Sequence, residues 1–359
     1  MSERLIQVFR EMVKIDSESG QEQAFLTYLS DLFARELKAE CWFDAYGNLL
    51  ARVPAVNCAS KSPILLSCHG DTVKPGRGIE PVLVDGVFSS RGDTILGADD
   101  KAGIAEAYVA LLSADRRPET EIVITRQEEL GMVGARHLDV SGLRAKMGFV
   151  LDGDVPNSII IGGPSYVSID VDITGRAAHA GMEPEKGISA IKAASHAISM
   201  LKEGWIDKET TFNVGIIEGG RIRNGVPEKA SVKAECRSLN HDRCLAYSNT
   251  VKEVFEVAAR AMGAQADVKL TVEFRASRIP EESPAVIRAR QAIEKMGLTP
   301  DVRVICGGTD AAVLNEKGIQ SVVLGIGGQA EHSNDEHIAV ADMETVVGIL
   351  RHLFDEWCE

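Results

Sequence analysis

Pro63-Ile-Leu-Leu-Ser-Cys-His-Gly-Asp71 decides how this chain reads. Pro63 to Cys68 is an apolar run of the length expected for a strand buried on both faces, and His69 and Asp71 stand where it ends. The arrangement recurs. Glu121-Ile-Val-Ile-Thr125 runs into Gln127-Glu-Glu129, and Gly148-Phe-Val-Leu151 runs into Asp152. Gly97-Ala-Asp-Asp-Lys-Ala-Gly103 lies between the first two and leads into a helix predicted to reach Leu112. Buried strands alternating with helices predict an α/β fold. Open sheets of that class place their sites in the crevice beyond the carboxyl ends of the strands, where polar residues keep arriving here.

Outward from these runs, Leu5, Val8, Phe9, Met12 and Val13 predict one helix, and Gln21 to Leu37 a second. A strand is expected around Asn48 to Val53. From Tyr166 the texture changes. Val167, Ile169, Val171 and Ile173 alternate with Ser168, Asp170 and Asp172, the mark of a half-buried strand. A helix over Gly187 to Leu201, strands at Phe212 to Ile217 and Ala230 to Arg237, a helix over Asp242 to Met262 and a strand at Val268 to Phe274 follow. That β-α-β-β-α-β order is the ferredoxin-like pattern. After it the α/β texture resumes, with helices at Pro284 to Met296, Thr309 to Lys317 and Met343 to Trp357, and strands at Asp301 to Cys306 and Ser321 to Leu324. The expected organisation is an outer domain, residues 1–163 and 277–359, carrying an inserted domain at 164–276.

The 359 residues are 45% hydrophobic and 26% charged, which excludes a mainly disordered chain. A formal net charge of −14 without a basic cluster argues against nucleic acid as a partner. No apolar run approaches the roughly 20 residues that cross a bilayer, so no membrane association is expected. Met1 to Val13 is charged and lacks the apolar core of a signal peptide. Cys41, Cys58, Cys68, Cys236, Cys244, Cys306 and Cys358 form no CxxC pair and read as reduced thiols of a cytoplasmic protein.

His69, Asp71, Asp99, Asp100, Glu128, Glu129, Asp152, Asp154 and His332 gather at the ends of predicted elements. Imidazoles and carboxylates without thiolate suit zinc, manganese or cobalt. Two ions about 3.5–4 Å apart need a bridging carboxylate, and His69, Asp99, Glu129, Asp152 and His332 supply enough ligands. An Asp-Asp pair opening a helix and a Glu-Glu pair closing a strand crowd like charges that a cation relieves. Asp154 reads as a loop acid and is left out of the ligand set.

Six segments together make the chain recognisable: Ser67-Cys-His-Gly-Asp-Thr-Val73, Gly97-Ala-Asp-Asp-Lys-Ala-Gly103, Glu128-Glu-Leu-Gly131, Leu151-Asp-Gly153, Gly175-Arg-Ala-Ala-His-Ala-Gly181 and His332-Ser-Asn-Asp-Glu336. In order and distance they resemble the dinuclear zinc peptidase and deacylase family. That family includes peptidase T, carboxypeptidases, aminoacylase, acetylornithine deacetylase and succinyl-diaminopimelate desuccinylase. The peptidase T branch looks most similar. The resemblance implies a mixed-sheet α/β catalytic domain with an inserted ferredoxin-like α+β lid and dimerisation domain. It implies two zinc ions per subunit, with cobalt or manganese able to substitute, and a homodimer formed through the insert.

Carried onto this chain, the family roles make His69 a ligand held by Asp71, Asp99 the bridge, and Glu128 the general base. Glu129, Asp152 and His332 complete the two metal sites, and the Asp99-Asp100 peptide is expected to be cis. His179 is implied to support the scissile carbonyl, in its own subunit or the partner's. Arg237 matches a family arginine near the substrate carboxylate. Asn213, Asn224 and Thr309 match substrate-proximal positions, and Asp310 beside Thr309 is either an orienting group or a helix cap. The implied activity is hydrolysis of amide bonds in small peptides, most like a tripeptide aminopeptidase. An N-acyl amino acid deacylase or a carboxypeptidase would use the same ligands, and a non-catalytic dimeric homologue is the reading from another class.

Overall fold

The three apolar runs that end in candidate ligands lie side by side in a computed structural model, which describes residues 2–359. In chain order the strands of this half are β1 (Glu40–Phe43), β2 (Leu49–Val53), β3 (Ile64–His69), β4 (Pro81–Val84), β5 (Val87–Ser90), β6 (Thr120–Thr125), β7 (Met147–Gly153) and β8 (Ser158–Gly163). The main sheet runs β1-β2-β6-β3-β7, then Gln320–Gly325, then β8. Asp301–Val304 also pairs with β8. β3 is parallel to both β6 and β7, whereas β1, β2 and β6 meet antiparallel. The sheet is therefore mixed, and its parallel centre puts the carboxyl ends of β3, β6 and β7 on one edge.

All six residues of β3 and all six of β6 are buried. Strands covered on both faces read as unbroken apolar runs, which is why they show so plainly in the sequence. The helices α1 (Ser2–Val13), α2 (Gln23–Leu32) and α3 (Ala98–Ser113), with Pro284–Lys295 and Val340–Trp357, close over the sheet in one continuous core. Leu5, Val8, Phe9, Met12 and Val13 form the buried stripe of α1. The second predicted helix divides into α2 and a π-helical turn, Phe33–Leu37. A separate four-stranded sheet joins β4 and β5 to His337–Ala339 and Gly328–Gln329. It suspends the loop that carries His332.

The chain clusters into two compact units. One holds the residues up to Gly162 with Arg278–Val304 and Gly308–Glu359; the other is Gly163–Ser277 with Ile305–Gly307. In the second, antiparallel strands run Gly204–Trp205, Thr210–Gly219, Lys229–Ser238, Ser165–Thr174, Gln265–Phe274. Along Ser165–Thr174 every second residue is buried. Val167, Ile169, Val171 and Ile173 pack against Ala190, Ala193, Ala194 and Ala197 of one helix and Val251, Phe255 and Ala258 of another. Each such aliphatic side chain removed from water contributes about 1.5–3 kcal/mol. Ser189 and Asn240 cap the two helices, accepting from the N–H of Lys192 (3.2 Å) and Arg243 (3.1 Å).

The reading of all seven cysteines as free thiols needs correction. Cys58, in the loop after β2, is disulfide-bonded to Cys358 at the end of the last helix, and the other five are free. The partners lie 300 residues apart in sequence, so no local spacing announces them. Among the described residues no helix is long and apolar enough to cross a membrane.

Candidate metal centre

His69 ends β3 and Asp71 follows it. Glu128 and Glu129 follow β6, and Asp152 lies near the end of β7. Parallel pairing of these strands brings the three segments to one edge. Asp99 enters from the start of α3. Gly97 there has φ +71°, and a Cβ on Gly103 would lie 2.6 Å from the Leu151 carbonyl oxygen. Glycine at both positions lets α3 turn in sharply and pack close to β7. His332 comes from the loop before His337–Ala339, with φ +60°, a conformation few non-glycine residues adopt. The Asp99–Asp100 peptide is cis.

Asp99 is the hub. Its Oδ1 lies 2.9 Å from His69 Nε2, which is itself 3.7 Å from Asp152 Oδ1. Its Oδ2 lies 3.1 Å from His332 Nε2, which is 3.0 Å from Glu129 Oε1. One carboxylate thus faces two imidazole–carboxylate pairs, one with each oxygen. Donor atoms of His69, Asp99 and Glu129, and of His69, Asp100 and Asp152, lie close enough to share an ion. Asp100 belongs to the acid cluster read from the sequence but was assigned no ligand role there. Its Oδ2 accepts from the His69 N–H at 2.9 Å, and its buried Oδ1 has no hydrogen-bond partner.

Asp71 is fully buried and works through others. Its backbone carbonyl accepts from His69 Nδ1 at 3.0 Å with the carboxylate 3.5 Å from the same nitrogen, and its side chain accepts from Ser19 Oγ at 2.7 Å and from the backbone N–H groups of Glu128 (2.9 Å) and Glu129 (3.3 Å). One residue orients an imidazole through its main chain and shapes the Glu-Glu turn through its carboxylate. Asp310 is buried at the start of its helix and bonds Thr125 through Oδ2, leaving Oδ1 unpartnered. Thr309 occupies the N-cap position but makes no capping bond. Asp154 pairs with Arg303.

The acids here exceed what two imidazoles can balance. Burial, then the neighbouring carboxylates, raises Asp152 to about 7, and burial raises Asp310 to about 6. Burial, then Asp152, pushes Glu128 well up. His69 is opposed by burial, yet Asp99, Asp152 and Asp71 outweigh it and it holds its proton far above its usual range. Hydrogen bonds to Asp99 and Glu129 raise His332 to about 10. Protons stand where cations fit, and the all-oxygen and nitrogen donor set with an orphaned buried carboxylate oxygen suits a divalent pair.

Metal uptake must displace those protons. In the metal-free protein the stability from the raised His332 pKa is full below about 6.5 and is lost as pH rises through about 10. Apparent zinc affinity accordingly rises with pH across that window. Calorimetry at pH 8 in buffers of different ionisation enthalpy reads the released protons directly.

The remaining expected site residues belong to the other unit. His179, on a two-residue strand paired with Gly225–Val226, is exposed and accepts from the Gly181 N–H through Nδ1 at 3.2 Å. Asn224 contributes its carbonyl to the Ala180 N–H at 3.0 Å. Arg237 stacks over Tyr166 and makes a two-pronged pair with Glu235 at 3.0 and 3.2 Å. Asn213 stands opposite Glu235 in register.

Sequence reasoning missed the role of Glu336. It was quoted as the end of the His332 segment but given no task. It is 1% exposed and accepts three backbone N–H groups around Asp99. An acid four residues after a candidate ligand was the only signal the sequence carried.

Comparison with known proteins places the whole chain in a family. Residues 161–262 match the peptidase dimerisation domain of the M20 family. Protein YqjE of Bacillus subtilis is 37% identical, covering 97% of each chain. Aminopeptidase PepT of Bacillus cereus is 36% identical over 100% of this chain and 99% of its own, with a TM-score of 0.86. A tripeptidase of Staphylococcus aureus is 29% identical over the same shares, with a TM-score of 0.89. By sequence along its whole length and by fold, the chain belongs to the peptidase T-like branch of the M20 peptidase family.

Proposed function

We propose that the protein hydrolyses the N-terminal amide bond of small peptides, as a dinuclear zinc aminopeptidase of tripeptidase type. The observation that carries this is Asp99, whose two oxygens each face a separate histidine–carboxylate pair. His69 and Asp152 would hold one ion, His332 and Glu129 the other, with Asp99 shared. Two zinc ions, or cobalt or manganese in their place, supply an acidified water and a polarised carbonyl. Glu128 takes the proton of the attacking water and delivers it to the leaving nitrogen. Asp71 keeps His69 in one tautomer and Glu128 in place. His179 supports the negative charge that develops on the carbonyl oxygen. Arg237 binds a substrate carboxylate as a planar fork, exchanging Glu235 for it. Asn213, Asn224 and Thr309 are proposed to contact the peptide.

A homodimer through the inserted domain is supported by the description of that domain and by its sheet. Gly204–Trp205 covers only the first residues of the edge strand Thr210–Gly219, leaving Ile216 and Ile217 about half exposed. Such an edge invites pairing with a second copy. The cytoplasmic location expected from the sequence rests on reading all seven cysteines as reduced; five are free, and the Cys58–Cys358 bond weighs against that location.

The test is hydrolysis by the zinc-loaded protein of a free-amine tripeptide, its N-acetylated form, a dipeptide and N-acetyl amino acids. Release of the N-terminal residue from the free-amine tripeptide alone is the expected result. Preference for the N-acetyl amino acids would move the protein to the deacylase reading. Silence across the panel with two metals bound would remove the peptidase assignment.

A further inference from the structure

We propose that Glu336 is a positioning residue that sets the main chain of Asp99 and, through it, both ligand arms; the inference rests on the two-ion reading above. Glu336 Oε2 accepts the N–H groups of Leu96 and Gly97, each at 2.7 Å, and Oε1 accepts that of Asp99 at 3.0 Å. These donors lie outside any helical ladder. Gly97 is left-handed and Asp99 has φ −78° and ψ 106°, so neither is fixed by regular structure. Buried N–H groups of this kind need a partner. Here a single carboxylate, 1% exposed, serves all three.

The same loop presents His332, whose Nε2 lies 3.1 Å from Asp99 Oδ2. Asp99 is therefore gripped at both ends by one segment, its side chain by His332 and its main chain by Glu336. Where Asp99 sits along α3 decides how its two oxygens divide between His69 and His332. A displacement at the backbone moves both arms together, unlike a change at any single ligand.

An amide cannot replace the carboxylate here. In Glu336→Gln the NH2 group must face either the paired donors of Leu96 and Gly97 or the lone donor of Asp99. Facing Asp99 sacrifices one hydrogen bond instead of two, so the substitution releases Asp99 and leaves its neighbours held.

The experiment is calorimetric titration of the metal-free wild type, Glu336→Gln and Glu336→Asp with zinc, with melting temperatures of the same metal-free samples. Outer partners of metal ligands are typically worth about 10–100-fold in affinity. A loss of that order for both ions in Glu336→Gln, with the metal-free melting temperature within about 3 °C of wild type, is the expected result. Unchanged affinity in folded Glu336→Gln overturns the inference. A lowered melting temperature with affinity intact does so too, since it marks a loop anchor only. Should Glu336→Gln not fold, Glu336→Asp decides by the same criteria, because it keeps the charge but draws it back by one methylene. Failure of both to fold makes Glu336 a folding residue and overturns the inference. A wild type that takes up fewer than two ions refutes the two-ion reading itself, independently of any variant.

Discussion

Glu128→Gln lowers kcat by about a thousandfold, within the range that a positioned general base contributes, while the bound metal stays at the wild-type level. The turn that carries Glu128 is held by its backbone N–H on Asp71 Oδ1 at 2.9 Å, and glutamine leaves that bond in place. The substitution is nearly isosteric and removes only the ability to take and return a proton. Steady-state kinetics together with metal content separates the three roles open to this side chain. A surface acid would leave kcat unchanged. A ligand would lose metal in step with rate. A base loses rate alone.

Asp99→Ala has the opposite signature: metal content collapses and activity goes with it. His69 with Asp152, and His332 with Glu129, remain present, yet each pair loses the oxygen it shared. Because both oxygens belong to one residue, the loss falls on both ions together. The affinity loss exceeds the roughly 10–100-fold that outer partners cost. Zinc titration followed by atomic absorption after dialysis reads it. Retention of one tightly bound ion in Asp99→Ala would show that the two arms are independent and that Asp99 is not the bridge.

The parts of the fold that were legible share one property, burial that leaves a period or an unbroken run. The core strands β3, β6 and β7 and the alternating strand Ser165–Thr174 appear within a few residues of where they were expected. The four-stranded sheet built from β4, β5, Gly328–Gln329 and His337–Ala339 was not legible. Its strands are two to four residues long; Asp85-Gly86 turns β4 into β5 as a local hairpin signal that the reading passed over, whereas the pairing of β5 with His337–Ala339 joins distant segments and leaves no local pattern. β8, seen only as the short apolar run Ile159-Ile160-Ile161, was missed for a related reason: its neighbours are Asp301–Val304 and Gln320–Gly325, both far along the chain. At the site, residues that offer donor atoms were visible by type and by their position at strand ends. Of the residues that act through hydrogen bonds to others, Asp71 was placed by the family resemblance, Asp310 was left between two roles and Glu336 was given none. Glu336 and Asp310 resemble any loop or helix-cap acid until folding buries them beside Asp99 and Thr125.

The disulfide between Cys58 and Cys358 closes a covalent ring that contains the entire second unit. The polypeptide passes through that unit on its way from the segment of the first that ends at Gly162 to the segments that begin at Arg278, so these are joined twice, once by peptide and once by sulfur. A cut anywhere between 58 and 358 opens the ring without dividing the molecule. Nicked in the insert, the protein is a two-chain species whose halves share a sheet and cannot diffuse apart until a reductant reaches the bond.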